Sequence, residues 1–586
     1  MARYFNLPRI ELTTLDGQLV AIIDRPLTDS VLIIGPAVDG PVERPVRVNN
    51  VGDIESVFGP VTYSGQYPGP NGETGATETT SNYNGNALVK ALREVQSGGA
   101  ADIRLWRVGG TKSLKTNIVT GFTAITSGFT GVLFSSEASL NDGTFTATAK
   151  NGGRIYNQVS VTFSSGAVSG QCTLTQPTVK GGSVEFKYSG LTSGTTVLQL
   201  FNRINSDPRN RTVNLSLGTL PSSSLARNLR GTFTLAGGTD GTIRDDLIAS
   251  KIPLYTAFTE ASTGMFALME DTEVDVIYLC GIYVDDQVDS VDTTKSIAKD
   301  FADYLGSRTV DHPIIGVLGV RPLDDFSSRA AINTHFAALT TTANGNRNTN
   351  WLNAGYFMYS GFPYNDGQLE QPIDAGGYLQ IVAADAIFND ADLKLYTDSV
   401  AGIYAGTVAA LKPHMPTTHK VVNGIFGLPY EFTRSQLDQL VGGVGRDVNS
   451  DVPGGGAYVT VRRIEGRGIL FTRDVTASLR NSDFKDLQPL RIANAAHKGI
   501  KNIAFTFLGQ PNDIAHRQAL ETAVKTFLDG MFEAGALLGK DGVGYSVQIR
   551  GGDTPLSNLL GILEVDVMLR PALQIKVIQV RVRLSL

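Results

Sequence analysis

The sequence predicts an α/β (α+β) multidomain protein: layered αβ core domains with an inserted all-β outer domain and extended N- and C-terminal β arms. Three observations carry this. Strand–helix–strand patterns recur on both sides of a long middle stretch. Within that stretch, from Gly110 to about Gly238, helical periodicity disappears and short alternating runs are punctuated by glycines. Both ends of the chain carry the period-two apolar alternation of half-buried strands. At 586 residues the chain is too long for one core, and its 64 glycines point to many turns.

Residues 1–24 form the first arm. Asn6 to Leu15, with Leu7, Ile10 and Leu12 as apolar positions, and Gln18 to Ile23 flank Asp16-Gly17, a strong hairpin signal. This hairpin is expected to join the C-terminal domain of its own or a neighbouring copy. The first part of an αβ domain spans 25–110. Ser30-Val-Leu-Ile-Ile-Gly35 is a short buried strand stopped by Gly-Pro. Residues 61–84 are Gly/Thr/Asn-rich with almost no aliphatics and read as a surface loop. Gly85 to Gln96 places Ala87, Leu88, Ala91, Leu92 and Val95 on one helical face, and Ser97-Gly98-Gly99 ends that helix. Asp102 to Val108 is the next strand.

The outer domain covers 111–240, with strands such as Thr144–Thr148 and Val159–Phe163. Gly237-Gly238-Thr-Asp-Gly241 returns the chain to the αβ domain, whose second part spans 241–412. The continuous apolar run Val274–Val284 reads as a strand covered on both faces. A helix from Thr293 to Leu305 follows, with Ile297, Phe301, Tyr304 and Leu305 at helical spacing, then the buried strand Ile314–Val320. This βαβ unit is expected to cross over right-handedly onto a parallel sheet. Ala375 to Ala386 reads as helix-like, and the domain closes near Leu411-Lys-Pro413.

The last domain, 413–586, holds the glycine-rich loop 441–456, the strand Tyr458–Arg462 and a helix capped by Asn512 or Asp513. That helix carries Ile514, Leu520, Val524, Phe527, Leu528 and Met531 on one side. Two strands finish the chain, separated by Pro571, which breaks the ladder. In the first, Leu563, Val565, Val567 and Leu569 face one way and Glu564, Asp566 and Arg570 the other. In the second, Ile578, Val580, Val582, Leu584 and Leu586 alternate with Gln579, Arg581, Arg583 and Ser585. This arm, about 572–586, has no later segment to cover its edge. Either it closes its own domain's sheet, as docked terminal strands do, or it adds to a sheet in another subunit.

Composition excludes several functions. A net charge of −6 with 18% charged residues gives no field that attracts nucleic acid. Two cysteines, Cys172 and Cys280, exclude a disulfide framework and suit a reducing compartment. The N-terminal residues lack the apolar core of a signal peptide, and no run approaches the eighteen or so apolar residues of a membrane span.

No motif for catalysis, metal or cofactor emerges. His414 and His419 are five apart around Pro416, a spacing that fits neither a helical face nor a zinc finger. Asp285-Asp286 and Asp324-Asp325 follow strands, where acids in solvated loops are far commoner than catalytic ones. Gly442-Gly-Val-Gly445 and Gly539-Lys540-Asp541 lack the full phosphate-loop pattern. Arg462, Arg463, Arg467 and Arg473 form a modest basic cluster without interleaved aromatics, suited to solvent or interface pairing.

The order of several short motifs resembles a contractile-tail sheath protein of a tailed bacteriophage. These are Thr28-Asp-Ser-Val-Leu-Ile-Ile-Gly35, Gly40-Pro41, Phe58-Gly59, Leu105-Trp-Arg-Val108 and Leu235-Ala-Gly-Gly-Thr-Asp-Gly241 in the first half. In the last domain they are Gly466-Arg-Gly468, Phe507-Leu-Gly-Gln-Pro-Asn512, Arg517, Phe527-Leu528, Gly535-Ala-Leu537 and the paired strands around Pro571. The family's Trp-Gly-x-Arg-Thr is replaced here by Phe471-Thr-Arg-Asp-Val475-Thr, and residues 441–456 are longer and richer in glycine.

The resemblance implies a structural subunit and no enzyme. Copies would stack as homo-hexameric rings in a helical polymer around an inner tail tube protein, between baseplate and tail terminator proteins. Contraction would drive the tube through a host envelope for DNA delivery. The subunit would need no cofactor, no direct nucleic acid contact and no membrane insertion. It would belong to the virion tail sheath and be assembled in the host cytoplasm. The arms, through Leu7, Ile10 and Leu12 and through Ile578, Val580, Arg581, Val582, Arg583, Leu584 and Leu586, would add strands to a neighbour's sheet built on Leu563, Val565, Val567 and Leu569. The long helix, through Asp513, Arg517, Glu521, Lys525 and Asp529, would contact the inner tube. Sheaths of bacteriocins and injection systems share this mechanism. A parallel-sheet enzyme resting on Val274–Val320 and a surface-layer protein are the rival classes, and stoichiometry separates the first: a closed oligomer against an open helical polymer.

Overall fold

The computed structural model describes residues 29–35, 44–48, 87–108, 126–130, 144–149, 159–165, 170–177, 183–189, 194–207, 212–217, 231–234, 264–269, 272–284, 296–309, 312–323, 326–340, 356–359, 372–389, 395–441, 457–478, 482–539, 544–550 and 563–573, with isolated positions between them. Both arms, with Leu7, Ile10, Leu12 and Ile578 to Leu586, lie outside the described residues. So do the loop 442–456 and the acid pairs Asp285-Asp286 and Asp324-Asp325.

β1 (Val31–Gly35), β2 (Val46–Arg47) and β3 (Ile103–Arg107) open a central sheet. Val31 to Ile34 are fully buried, because β1 is paired on both sides and covered on both faces. Helix α1 (Ala87–Ser97) lays Leu88, Val89, Ala91, Leu92 and Val95 on that sheet, and stops where Gly99 takes a φ of +100°.

The chain then builds a separate module with its own core. β4 (Thr126–Thr130), β5 (Thr144–Ala149), β6 (Ser160–Ser165), β7 (Gly170–Pro177), β8 (Ser183–Tyr188), β9 (Val213–Leu217) and β10 (Gly231–Thr234) form two antiparallel sheets, ordered β4-β5-β9 and β10-β6-β7-β8. The expected all-β domain is corrected in one respect. Between β8 and β9 lies helix α2 (Val197–Ser206), opened by a capping box in which Thr196 and Gln199 bond each other's backbone. Val197, Leu200, Phe201 and Ile204 recur at helical spacing and share a core with Val161, Phe163 and Leu174.

On returning, the chain forms the short helix α3 (Met265–Leu268), β11 (Val276–Tyr283), α4 (Ile297–Arg308), β12 (Ile315–Gly319) and α5 (Arg329–Thr340). β11 and β12 are parallel, as a βαβ unit requires. A small ladder, β13 (Met358–Tyr359) with β14 (Ile373–Asp374), precedes a 3-10 turn at Ala375–Tyr378, then β15 (Leu379–Val382), β16 (Asp385–Asn389) and β17 (Leu395–Ser399). Of the run 375–386, expected to be helix-like, only Ala375–Tyr378 is helical, as a 3-10 turn; Leu379–Val382 and the residues from Asp385 are strand. Leu379, Gln380, Ile381 and Val382 are all buried, so a one-sided helical reading of that run fails.

Helix α6 (Ala401–Ala410) runs beside α1. The crossing is close: a Cβ on Gly406 would stand 2.0 Å from the Val95 carbonyl oxygen, and one on Gly98 2.4 Å from that of Ile403. Helix α7 (Arg434–Val441) follows, then β18 (Tyr458–Val459), which completes the central sheet in the order β18-β15-β12-β11-β1-β3-β2, parallel except for β2. This strand lies beyond residue 413, where the αβ domain was expected to close, so the sheet does not respect that boundary. The reason is local: Ile381 and Val382 expose an apolar edge to which Tyr458 and Val459 add.

The hairpin β19 (Val461–Ile464) with β20 (Gly468–Phe471) leads to helices α8 (Leu487–Phe505) and α9 (Ile514–Glu533), then the ladder β21 (Tyr545–Arg550) with β22 (Glu564–Leu569). Helix α8 serves two cores. Leu487 and Leu490 join the central one, while Ile492, Ala496 and Ile500 pack with Leu520, Val524, Leu528 and Met531 of α9 and with Val547, Val567 and Leu569.

Candidate assembly surface

The C-terminal ladder places the sequence-predicted acceptor residues together. Val567 and Leu569 are buried, and Val565 and Leu563 are half-buried against α9. The other face carries the cross-strand pairs Ser546–Met568, Gln548–Asp566 and Arg550–Glu564, with Arg550 Nη2 3.2 Å from Asp566 Oδ2. Among the described residues this sheet has two strands. Each such strand presents one row of N–H and C=O groups that its partner does not use. Just beyond β22 the Leu538 N–H donates to the Arg570 carbonyl at 2.8 Å, and Ala572 N–H to Ala536 at 2.9 Å, so residues 570–572 are anchored where the arm begins.

Helix α9 starts where Asp513 accepts the His516 N–H at 2.8 Å and contacts His516 Nδ1 at 2.7 Å. Those bonds, the backbone one first, hold the Asp513 carboxyl below its usual range. The five expected tube-contact residues are each engaged within the module. Arg517 Nε donates to Asn512 at 2.8 Å, Lys525 pairs with Glu521 at 2.6 Å, and Asp529 accepts the Tyr545 hydroxyl. Burial, with Asp529 second, pushes the Tyr545 hydroxyl up to about 12. Arg517 and Glu521 are half-buried, whereas Gln518, Thr522, Lys525, Thr526 and Asp529 are exposed.

The expected arginine cluster is divided. Arg462, Arg463 and Arg467 decorate the exposed β19–β20 hairpin, with Arg463 Nε 3.1 Å from Glu431. Arg473 is instead tied to the buried Asp486 at 2.8 Å.

Sequence reasoning missed a buried charge seam that joins the last domain to the N-terminal ends of β1 and β11. Asp275 accepts from the Ser30 N–H at 2.8 Å and the Ser30 hydroxyl at 2.9 Å, and pairs with Lys498 of α8. Burial alone would push the Asp275 carboxyl up; the charge and hydrogen bond of Lys498 and the two bonds from Ser30 outweigh it and hold it well below the carboxylate range. His312 donates through Nε2 to the Val274 carbonyl at 2.9 Å, since a carbonyl only accepts. Burial and then the nearby Lys498 charge lower its imidazole to about 3, so the 4.0 Å approach to Asp275 joins a neutral ring to a carboxylate. One turn-pair earlier on α8, Arg491 donates to Asp29 at 3.2 Å and to the carbonyls of Leu411, Lys412 and Met415 beyond the end of α6. The available signal was Arg491 and Lys498 seven apart in an otherwise apolar helical pattern, one face of a helix two turns apart.

At the opposite end of the sheet lies a second acidic pair, a buried Glu94 and a half-buried Asp398. Asp398 accepts the Tyr283 hydroxyl at 3.1 Å and the Ser399 N–H at 2.7 Å, and burial raises its carboxyl to about 6. Glu94, beside Gly402, is 4% exposed; burial first and then Asp398 push its carboxyl well above the usual range. Lys90 lies 4.3 Å over the Tyr396 ring and Arg321 5.0 Å over that of Tyr283. Among the described residues no group of His, Cys, Asp and Glu is arranged to hold a metal ion, and no helix is long and apolar enough to cross a membrane.

No protein-family model matches the chain, and no curated protein does. Solved structures do. The sheath tail protein of Listeria innocua superposes with a TM-score of 0.52 at 14% identity, over 94% of this chain and 93% of that one. The sheath tail protein of Desulfitobacterium hafniense gives 0.46 at 13% identity, over 93% of each chain. The helical sheath of the anti-feeding prophage in its contracted state gives 0.46 at 10%, over 100% of each. The first of these likenesses shows the fold: this chain, along nearly its whole length, is built as a sheath tail protein is.

Proposed function

We propose, from a fold shared end to end with a sheath tail protein, that this chain is a structural subunit of a contractile sheath. The observation that carries the reading is the extent of that likeness, 94% of this chain against 93% of the other. In the fuller reading, copies stack as hexameric rings around an inner tube, bounded by a baseplate and a terminator, in a phage tail assembled in the host cytoplasm. The long outer module favours a phage tail over an injection system. The subunit's work is mechanical and not catalytic.

The arms link the copies. Residues 6–15 and 576–586 each add a strand to the β21–β22 ladder of a neighbour. What supports this is the two-stranded ladder among the described residues together with the alternation of Ile578 to Leu586. A six-residue strand brings a few net hydrogen bonds at about 1 kcal/mol each. Each fully buried Ile, Val or Leu adds roughly 1.5–3 kcal/mol. After ordering costs, such a link holds copies together while softer contacts between rigid modules exchange. Contraction then needs no cofactor: the extended lattice is a kinetically trapped state released into a better-buried one.

Negative-stain microscopy of the purified full chain tests the class, with long striated tubes expected. Deleting 574–586 tests the arms: soluble folded monomers are expected, and tubes from the truncated chain refute strand exchange.

A further inference from the structure

The charge seam borders a pocket of about 20 Å³, partly open to solvent and lined by Asp29, Asp275, Arg491, Asn494 and Lys498 with Ile315, Pro413 and Ala495. One water needs roughly 10–15 Å³, and that much space is present. The walls carry two carboxylates and two cations, so the formal charges cancel and no net charge favours an anion or a cation. Asn494 is 6% exposed, and its Nδ2 has no hydrogen-bond partner; neither has Arg491 Nε. A buried amide N–H without an acceptor destabilises the fold.

We propose that this cavity is a binding site for one structural water molecule, which accepts from Asn494 Nδ2 and donates to the carboxylates of Asp29 and Asp275. A neutral ligand of one heavy atom that both donates and accepts is the chemistry these walls select. Bound there, it hydrogen-bonds helix α8 to the segments that precede β1 and β11, beside the direct pairs Arg491–Asp29 and Lys498–Asp275. The seam between the central sheet and the last domain is thus satisfied through solvent as well as through ion pairs. Asp29 keeps 18% side-chain exposure and gives the water a route of exchange. The inference rests on the seam alone and stands whether or not the chain assembles into a sheath.

A map of the full chain at about 2 Å resolution tests it. The expected result is one density peak within hydrogen-bond distance, about 3 Å, of Asn494 Nδ2 and of an Asp29 or Asp275 oxygen. A well-ordered seam with no peak overturns the proposal, as does a peak whose height and coordination are those of an ion. Asn494→Leu gives a second reading by the sign of its effect. If water fills the cavity, leucine expels it, leaves the carboxylates short of a donor and lowers the melting temperature of the full chain by about 2 °C or more. If the cavity is dry, leucine removes an unsatisfied donor, and a melting temperature that is unchanged or higher overturns the proposal. Asn494→Ala, which leaves room for a second water, is expected to melt within about 1 °C of the parent; a clear rise there overturns it too.

Discussion

The central sheet and the C-terminal ladder are built from the same residue types and come to opposite ends. In the sheet, β1, β11, β12 and β15 each have a strand on either side and helices over them, and Asp275 at the start of β11 is paired with Lys498. In the ladder, β21 and β22 are covered on one face by α9, and among the described residues have only each other as partners. The difference teaches that completeness, not hydrophobicity, separates a part whose edges are all used from a part that keeps an edge open among the described residues. Alternating Val565, Val567 and Leu569 are as apolar as Val276, Ile277 and Leu279; what differs is the number of sides on which they are satisfied.

The largest effects are expected in the sheet. Asp275→Ala leaves Lys498 buried without its counter-charge and should cost about 3–5 kcal/mol, read as a lower denaturation midpoint. Ile277→Ala, which opens a void in a strand buried on both faces, should cost about 2–5 kcal/mol. Val567→Ala on the one-sided ladder should cost clearly less than Ile277→Ala. Equal costs at the two positions would abolish the contrast between the regions.

The two ends of the sheet should also respond oppositely to pH. At the seam Asp275 is held low and His312 is lowered to about 3. As pH falls from neutrality the unfolded chain takes up protons at these groups before the native one does, so stability falls in acid. His312→Gln, which keeps a donor for Val274, should flatten that fall in thermal melts between pH 7 and 4. At the other end Glu94 holds its proton in the fold and loses it on unfolding above the ordinary carboxyl range. Its contribution therefore falls as pH rises. Glu94→Gln should raise the melting temperature at pH 7–8 and do so less near pH 4.

The smallest effect is expected on the surface of α9. Lys525→Ala removes the exposed pair with Glu521 and should change stability by no more than about 0.5 kcal/mol. A several-fold weakening of any tube attachment by the same variant would identify this face as a contact.

Much of this contrast was legible in the sequence. Val31–Gly35, Val276–Tyr283 and Ile315–Gly319 are continuous apolar runs because they are buried on both faces, and alternation in Glu564–Leu569 reported a strand buried on one. Helix α9 announced itself through Asp513 and its apolar spacing. Leu379–Val382 misled because a short apolar run fits helix and strand alike, and only its neighbours β12 and β18 decide. Helix α2 was hidden among strands although Thr196 and Gln199 spell a capping box. The seam's partners were hidden for a different reason: although Arg491 and Lys498 share a helical face, Ser30, Asp275 and His312 are scattered along the chain and become their neighbours only through tertiary packing.

The most direct measurement is a map of the assembled protein that traces residues 6–15 and 576–586. The account predicts backbone from other copies hydrogen-bonded alongside Tyr545–Arg550 and Glu564–Leu569, widening the two-stranded ladder. Both segments folded back on their own subunit and touching no other copy would contradict it.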